Sequence, residues 1–127
     1  MYPDNFRYTK EHEWVLADGD AGTIGITDHA QQELGDIVYV DLPKVGTRID
    51  AGKSLGSVES VKAVSDIFTP IGGEVIEINT ALEDDPALLN REPFGAGWLF
   101  KLKVTDQAET GNLLSPESYD ELTLAEE

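Results

Sequence analysis

Short β-rich runs broken by glycine, proline and aspartate constrain this chain more than any other feature. Gly46-Thr47-Arg48-Ile49-Asp50-Ala51-Gly52 precedes one such run, and Thr69-Pro70-Ile71-Gly72-Gly73 precedes another. Runs this short, bounded this way, form strands joined by turns. Between the two clusters stands Gly56-Ser57-Val58-Glu59-Ser60-Val61-Lys62-Ala63-Val64-Ser65-Asp66, one lysine between two short apolar runs. The pattern predicts a hairpin with Lys62 at or beside its tip. Lysines are mostly exposed whatever their task, so exposure alone assigns Lys62 nothing. Its place between two strand runs is what singles it out.

The rest of the chain supplies strands on which such a hairpin can pack. Glu13-Trp14-Val15-Leu16 predicts a first strand. Asp18-Gly19-Asp20-Ala21-Gly22 is a turn, and Thr23-Ile24-Gly25-Ile26-Thr27 alternates as a half-buried strand antiparallel to the first. Thr27 or Asp28 caps a short helix that Gly35 stops, with Ala30 and Leu34 on its buried face. Ile37-Val38-Tyr39-Val40-Asp41-Leu42 is the strongest strand signal, ended by Pro43. Val45-Gly46-Thr47-Arg48-Ile49 follows; Ser54 to Val58 leads into the lysine hairpin, Val64 to Phe68 leads out, and Glu74 to Asn79 is a further strand. Pro43-Lys44-Val45-Gly46 and Pro70-Ile71-Gly72-Gly73 echo each other across the lysine, which suggests two similar half-sheets over one core.

Later in the chain, Glu83 to Asn90 holds one helical turn with Asp85 as cap and Pro86 first. Trp98, Phe100, Leu102 and Val104 share one side of a closing strand, with Lys101 and Lys103 on the other. Ser115-Pro116 opens a C-terminal helix over about 115–125, docked by Tyr119, Leu122 and Leu124. Ala125-Glu126-Glu127 frays.

Composition narrows the function. A chain of 127 residues suits one domain over 1–127, and 40% hydrophobic with 27% charged residues is globular. There are no cysteines, so any sulfur chemistry must come from an attached group. No apolar run approaches the roughly 20 residues that span a bilayer. The net charge of −16 repels phosphates and anionic lipids, which argues against nucleic acid and membrane partners. The same charge favours enzymes with basic rims around their entrances, or serves solubility alone. His12 and His29 are the only histidines, poor evidence for a metal without cysteine neighbours. There is no Gly-x-Ser-x-Gly and no phosphate loop, so a non-enzyme is expected. Met1-Tyr2-Pro3-Asp4-Asn5-Phe6 is neither a signal peptide nor an Arg-rich transit peptide. The expected location is cytoplasmic, or the mitochondrial matrix if the chain is a trimmed mature form.

Glu59-Ser60-Val61-Lys62-Ala63-Val64-Ser65-Asp66 resembles the lipoyl-attachment region of the glycine cleavage system H protein family, and more distantly the lipoyl and biotinyl carrier domains. The resemblance extends through Lys10-Glu11-His12-Glu13-Trp14-Val15 (except at Glu11), Gly25 to Gln31, Leu34 to Pro43 and Gly97-Trp98-Leu99-Phe100-Lys101, nearly the whole chain. It implies a mainly β fold: a flattened lipoyl/biotinyl-carrier-like sandwich barrel of two small antiparallel sheets with a few short helices, including one at the C-terminus. The lipoyl-like core would span about 20–104.

It further implies lipoic acid in amide linkage to Lys62, giving a tether of about 14 Å at about 1.5 Å per bond. The implied role is a shuttle. A pyridoxal-phosphate glycine decarboxylase (P protein) loads an aminomethyl group. A tetrahydrofolate-dependent aminomethyltransferase (T protein) removes it, and dihydrolipoamide dehydrogenase (L protein) reoxidises the dithiol. Lipoate-attaching enzymes are further partners, with Glu59, Val61 and Ala63 as the residues they would read. The cargo is a labile amine, so a carboxylate pocket is expected, and Glu13 and Asp66 are the candidates. His29 either lines the arm's path or sits on the polar face of its helix.

Other readings lie close by. A lipoyl domain of a 2-oxo acid dehydrogenase acyltransferase is shorter, and its lysine usually follows aspartate. Biotin carriers flank the lysine with methionines, whereas Lys62 lies between Val61 and Ala63. An H-like protein that relays lipoyl groups to other carriers would use the same lysine. A plain structural β-domain is the remaining alternative.

Overall fold

Two antiparallel sheets of unequal size face each other across an aliphatic core. The structure, a computed structural model, describes residues 5–105, 111 and 113–126. In chain order the elements are β1 (Arg7–Tyr8), β2 (Glu13–Asp18), β3 (Ala21–Ile26), α1 (Asp28–Leu34), β4 (Ile37–Asp41), β5 (Arg48–Ile49), β6 (Ser54–Ser60) and β7 (Val64–Phe68). There follow β8 (Gly73–Ile78), α2 (Ala81–Asp84), α3 (Leu88–Arg91), β9 (Phe100–Val104) and α4 (Pro116–Glu126). One sheet has six strands in the order β1-β2-β3-β9-β8-β5, and the other has three, β4-β6-β7. This is a mainly β sandwich with short helices, one of them C-terminal, as expected. The Pro-Gly echo does not produce two similar half-sheets, because β1, β2, β3 and β9 come from outside the echoed segments and all join one side.

The period-two pattern decides which residues enter the core. On the small sheet, Val40 opposes Val58, with both buried, while the neighbouring row Tyr39, Glu59 and Val64 is exposed. Opposite lie Val15, Ile24, Ile26, Val75, Phe100 and Leu102, joined by Leu82 from α2 and Leu89 from α3. Fully burying a side chain of this kind contributes about 1.5–3 kcal/mol, so this layer is the main force that clamps the sheets together. The strongest strand signal becomes an edge: Val38 is 48% and Tyr39 56% exposed, because β4 pairs only with β6.

A second, aromatic cluster lies under the C-terminal helix. Phe6, Tyr8, Trp14 and Tyr119 are buried there, with Tyr8 stacked on Tyr119 at 4.7 Å. Ser115 caps α4 as expected, accepting from the Ser118 N–H at 3.2 Å. Tyr119 and Leu122 dock the helix, but Leu124 is 62% exposed and does not, since it falls on the solvent side of the turn. Glu127 lies outside the described residues. The turn expected over Glu83 to Asn90 is also placed differently. Asp85 ends α2, donating its N–H to Ala81 C=O, and α3 starts after Ala87 without a side-chain cap.

Trp14 explains a glycine. Its indole N–H donates to the carbonyls of Ile26 and Pro93, both at 2.9 Å, which lays the ring across Gly25 on the next strand. A Cβ on Gly25 would meet the ring at 2.5 Å. The ring is fixed by its hydrogen bonds and by its 1% exposure, so it cannot give way. Gly25→Ala should therefore lower stability by about 2–3 kcal/mol. Chemical denaturation measures this, and an unchanged midpoint would contradict the packing.

Candidate functional site

Lys62 stands in the bend between β6 and β7, exposed, between the exposed side chains of Val61 and Ala63. Among the described residues no carboxylate forms an ion pair with it. The backbone beneath it is tied at every residue. Ser60 N–H donates to Ala63 C=O at 2.8 Å, closing the hairpin. The buried Ser60 hydroxyl accepts from the N–H groups of Lys62 and Ala63, both at 3.1 Å. A side-chain oxygen thus takes the place of a backbone acceptor, the usual role of serine in tight turns. Val61 N–H donates to Asp36 C=O at 3.0 Å, which ties the tip to the segment after α1. An exposed amine on a fixed turn can be acylated without unfolding, so the site fits a lysine-linked arm.

The floor under the lysine is Gly35. It ends α1 with φ +81°, a conformation that favours glycine. A Cβ there would lie 3.1 Å from Lys62 Cε and 3.9 Å from its Nζ. The lysine stem therefore rests on bare backbone.

Glu59, Val64 and Asp66 lie exposed on the outer face of the small sheet. Alternation along β7 puts Val64, Asp66 and Phe68 on the same face. Beyond Phe68 opens a cavity of about 270 Å³, lined by Thr9, Glu11, Glu13, Gly52, Phe68, Thr69 and Pro70. The structure thus brings Glu13 to the far end of β7, leaves Asp66 on the way there and places neither beside Lys62. His29 is not among the lining residues. It packs on His12 with ring centres 4.5 Å apart, and its Nε2 lies 3.0 Å from Glu33 Oε1.

Glu13 is 2% exposed. Thr9 Oγ1 donates to its Oε1 at 2.8 Å, and Phe68 N–H donates to its Oε2 at 3.3 Å. The tight Thr9–Glu13 loop that seats it turns through His12 in the left-handed region, φ 71°. His12 Nδ1 is held there 2.6 Å from the Tyr119 hydroxyl, which also bonds Thr27, the cap of α1. Burial pushes the Glu13 carboxyl from its ordinary 4.5 up to about 7, against the two hydrogen bonds, which pull it down. Gly35 was legible as the stop of α1 and Ser60 as part of the attachment-region motif, but the contact of each with the lysine turn has no signal in the sequence.

The fold and the tip together define a lysine-presenting β-sandwich. The family profile described as Glycine cleavage H-protein matches residues 6–126. The glycine cleavage system H protein of Rubrobacter xylanophilus is 51% identical over 117 residues, covering 92% of this chain and 90% of that protein. That of Carboxydothermus hydrogenoformans is 50% identical over 122 residues, covering 96% and 94%. A crystal structure of a glycine cleavage system H protein from Mycobacterium marinum superposes with a TM-score of 0.88 at 42% identity, covering 96% of this chain and 98% of that one. The chain belongs to the glycine cleavage H-protein family, which implies a lipoyl-carrier role in glycine cleavage. Among the described residues no helix is long and apolar enough to cross a membrane.

The raised carboxyl makes a pH prediction. Glu13 holds its proton more tightly folded than unfolded, so its contribution to stability is full below pH 4.5 and is lost as pH rises through about 7. Relative to Glu13→Gln, the protein should lose about 3 kcal/mol across that window. Urea unfolding at a series of pH values reads this. A difference that is flat with pH, or rises with it, would show that Glu13 is not buried as described.

Proposed function

We propose that Lys62 carries lipoic acid and that the chain shuttles the aminomethyl group of glycine from the decarboxylase to the aminomethyltransferase, with dihydrolipoamide dehydrogenase closing the cycle. The single observation that supports this most is the exposed Lys62 amine on a turn fixed by Ser60 and Asp36. The group would supply one chemistry, a dithiolane whose sulfur takes up the cargo and is later reoxidised. Glu59, Val61 and Ala63 lie in the same hairpin as Lys62 and are exposed, hence accessible to a lipoate-attaching enzyme. In this reading the protein is a carrier and the catalytic groups belong to its partners.

The face of β7 supports a role for two carboxylates. From Lys62 to Asp66 is four residues, about 13 Å of strand, and from Lys62 to Phe68 at most about 20 Å. Asp66 is thus within the length of a lipoyl-lysine. Phe68, at the mouth of the Glu13 cavity, lies up to about 20 Å away along the strand, farther than a straight arm of about 14 Å, so the cargo meets Glu13 only where the direct path is shorter than the strand itself. A buried carboxylate there would hold a cationic amine by a charge-assisted hydrogen bond away from bulk water. An arriving ammonium favours the ionised form, so it releases the Glu13 proton, and cargo retention strengthens as pH rises through about 7.

Two measurements test the reading. Lys62→Ala should abolish reconstituted glycine cleavage with the thermal unfolding midpoint unchanged; activity retained in that variant would end the assignment. Glu13→Gln should raise ammonia release several-fold when the aminomethyltransferase is left out, and an unchanged rate would remove its protective role.

A further inference from the structure

Among the described residues, Asn90 makes no hydrogen bond to the hairpin or to the lysine. It projects from α3, and its amide makes three hydrogen bonds to one short segment. The amide nitrogen donates to Gln31 Oε1 and to Gly35 C=O, each at 2.9 Å, and the amide oxygen accepts from Ile37 N–H at 2.9 Å. Gly35 C=O lies past the last turn of α1 and has no partner within the helix. Ile37 N–H opens β4, the edge strand beside β6. One planar amide therefore satisfies the backbone on both sides of Asp36. Those same residues meet the lysine: Asp36 C=O receives the Val61 N–H, and Gly35 lies under Lys62 Cε.

We infer that Asn90 is the positioning residue for Lys62, acting through the segment Gly35–Ile37 on which the lysine stem and the hairpin tip rest. The inference rests on the reading of Lys62 as the modified residue and identifies what sets its geometry. Only asparagine meets the demand at position 90. Alanine leaves a carbonyl and an N–H without their partner. Aspartate keeps the acceptor for Ile37 but turns a carboxylate oxygen against two oxygens. Glutamine is a methylene too long for the same three bonds. With the seat loosened, the tip spends only a fraction of its time in the competent orientation, and apparent affinity for an attaching enzyme falls by that fraction. Chemistry after docking is unaffected, so the effect falls on KM.

The test uses the full unmodified chain with a lipoate-protein ligase, lipoate and ATP, followed by intact mass, together with site-resolved amide hydrogen exchange. Asn90→Asp should raise KM about tenfold with kcat within about twofold, and speed exchange of the Val61 amide about tenfold, while that of Leu102 in β9 stays as in the wild type. Should Asn90→Asp fold poorly, Asn90→Ala removes the bonds without adding a charge, and the same split is expected. Wild-type KM and wild-type Val61 exchange in either variant would overturn the inference. Exchange rising equally at Leu102 would also overturn it, since that describes a general scaffold role. A wild-type chain that the ligase leaves unmodified would instead overturn the reading of Lys62, and Val61 exchange would still decide whether Asn90 holds the tip.

Discussion

The hydrogen bond from Val61 N–H to Asp36 C=O joins the hairpin to the body of the protein at the one place where the chain must be both exposed and still. A hairpin tip alone is among the most mobile parts of a fold, because few apolar contacts reach it. Here β6 and β7 are clamped on the core through Val58 and Ile67, and the Ser60 hydroxyl and Asp36 carry that rigidity outward to the tip. The apolar layer between the sheets is therefore what makes an exposed lysine a fixed one. Remove the tie and Lys62 is an ordinary surface lysine.

Opposite ends of β7 have opposite character. At the tip the polar group is in water and its scaffold is held by hydrogen bonds. At the base, Glu13 is taken out of water, and its carboxyl rises to about 7 as a consequence. A buried carboxylate whose two hydrogen bonds do not offset its desolvation costs stability, and a fold keeps such a cost most readily where a ligand can offset it. The left-handed His12 turn and its bond to Tyr119 belong to the same arrangement, since they connect the Glu13 loop to the C-terminal helix and to the cap of α1. The basal cavity and the seat of the lysine thus share one supporting network through α1.

What depends on neighbours in the chain was legible in the sequence. The hairpin around Lys62 follows from turn residues on each side, the start of α1 from the cap residues Thr27 and Asp28, of which Thr27 is the cap, and the start of α4 from Ser115-Pro116. What depends on distant partners was not. The Glu13-Trp14-Val15 run reads as a strand, but nothing in it shows that all three are buried, which follows because the small sheet covers one face of β2 and the aromatic cluster covers the other. Asn90 reads as an ordinary residue of an irregular stretch, and its three bonds reach Gln31, Gly35 and Ile37, more than fifty positions earlier in the chain. Asp85 has the chemistry of a cap, but its backbone closes the preceding turn, so position overrode propensity. His29 was legible as a helix residue and not as the partner of His12, a contact made only when the left-handed turn folds over α1.

The whole account turns on a covalent group at one nitrogen. Peptide-mapped mass spectrometry of the chain, co-expressed with a lipoate-attaching enzyme, tests it most directly. The account predicts a single lipoyl adduct, on the peptide containing Lys62 and on no other lysine. An adduct on a different lysine, or a Lys62 peptide left at its unmodified mass while a control carrier in the same cells is loaded, would contradict it.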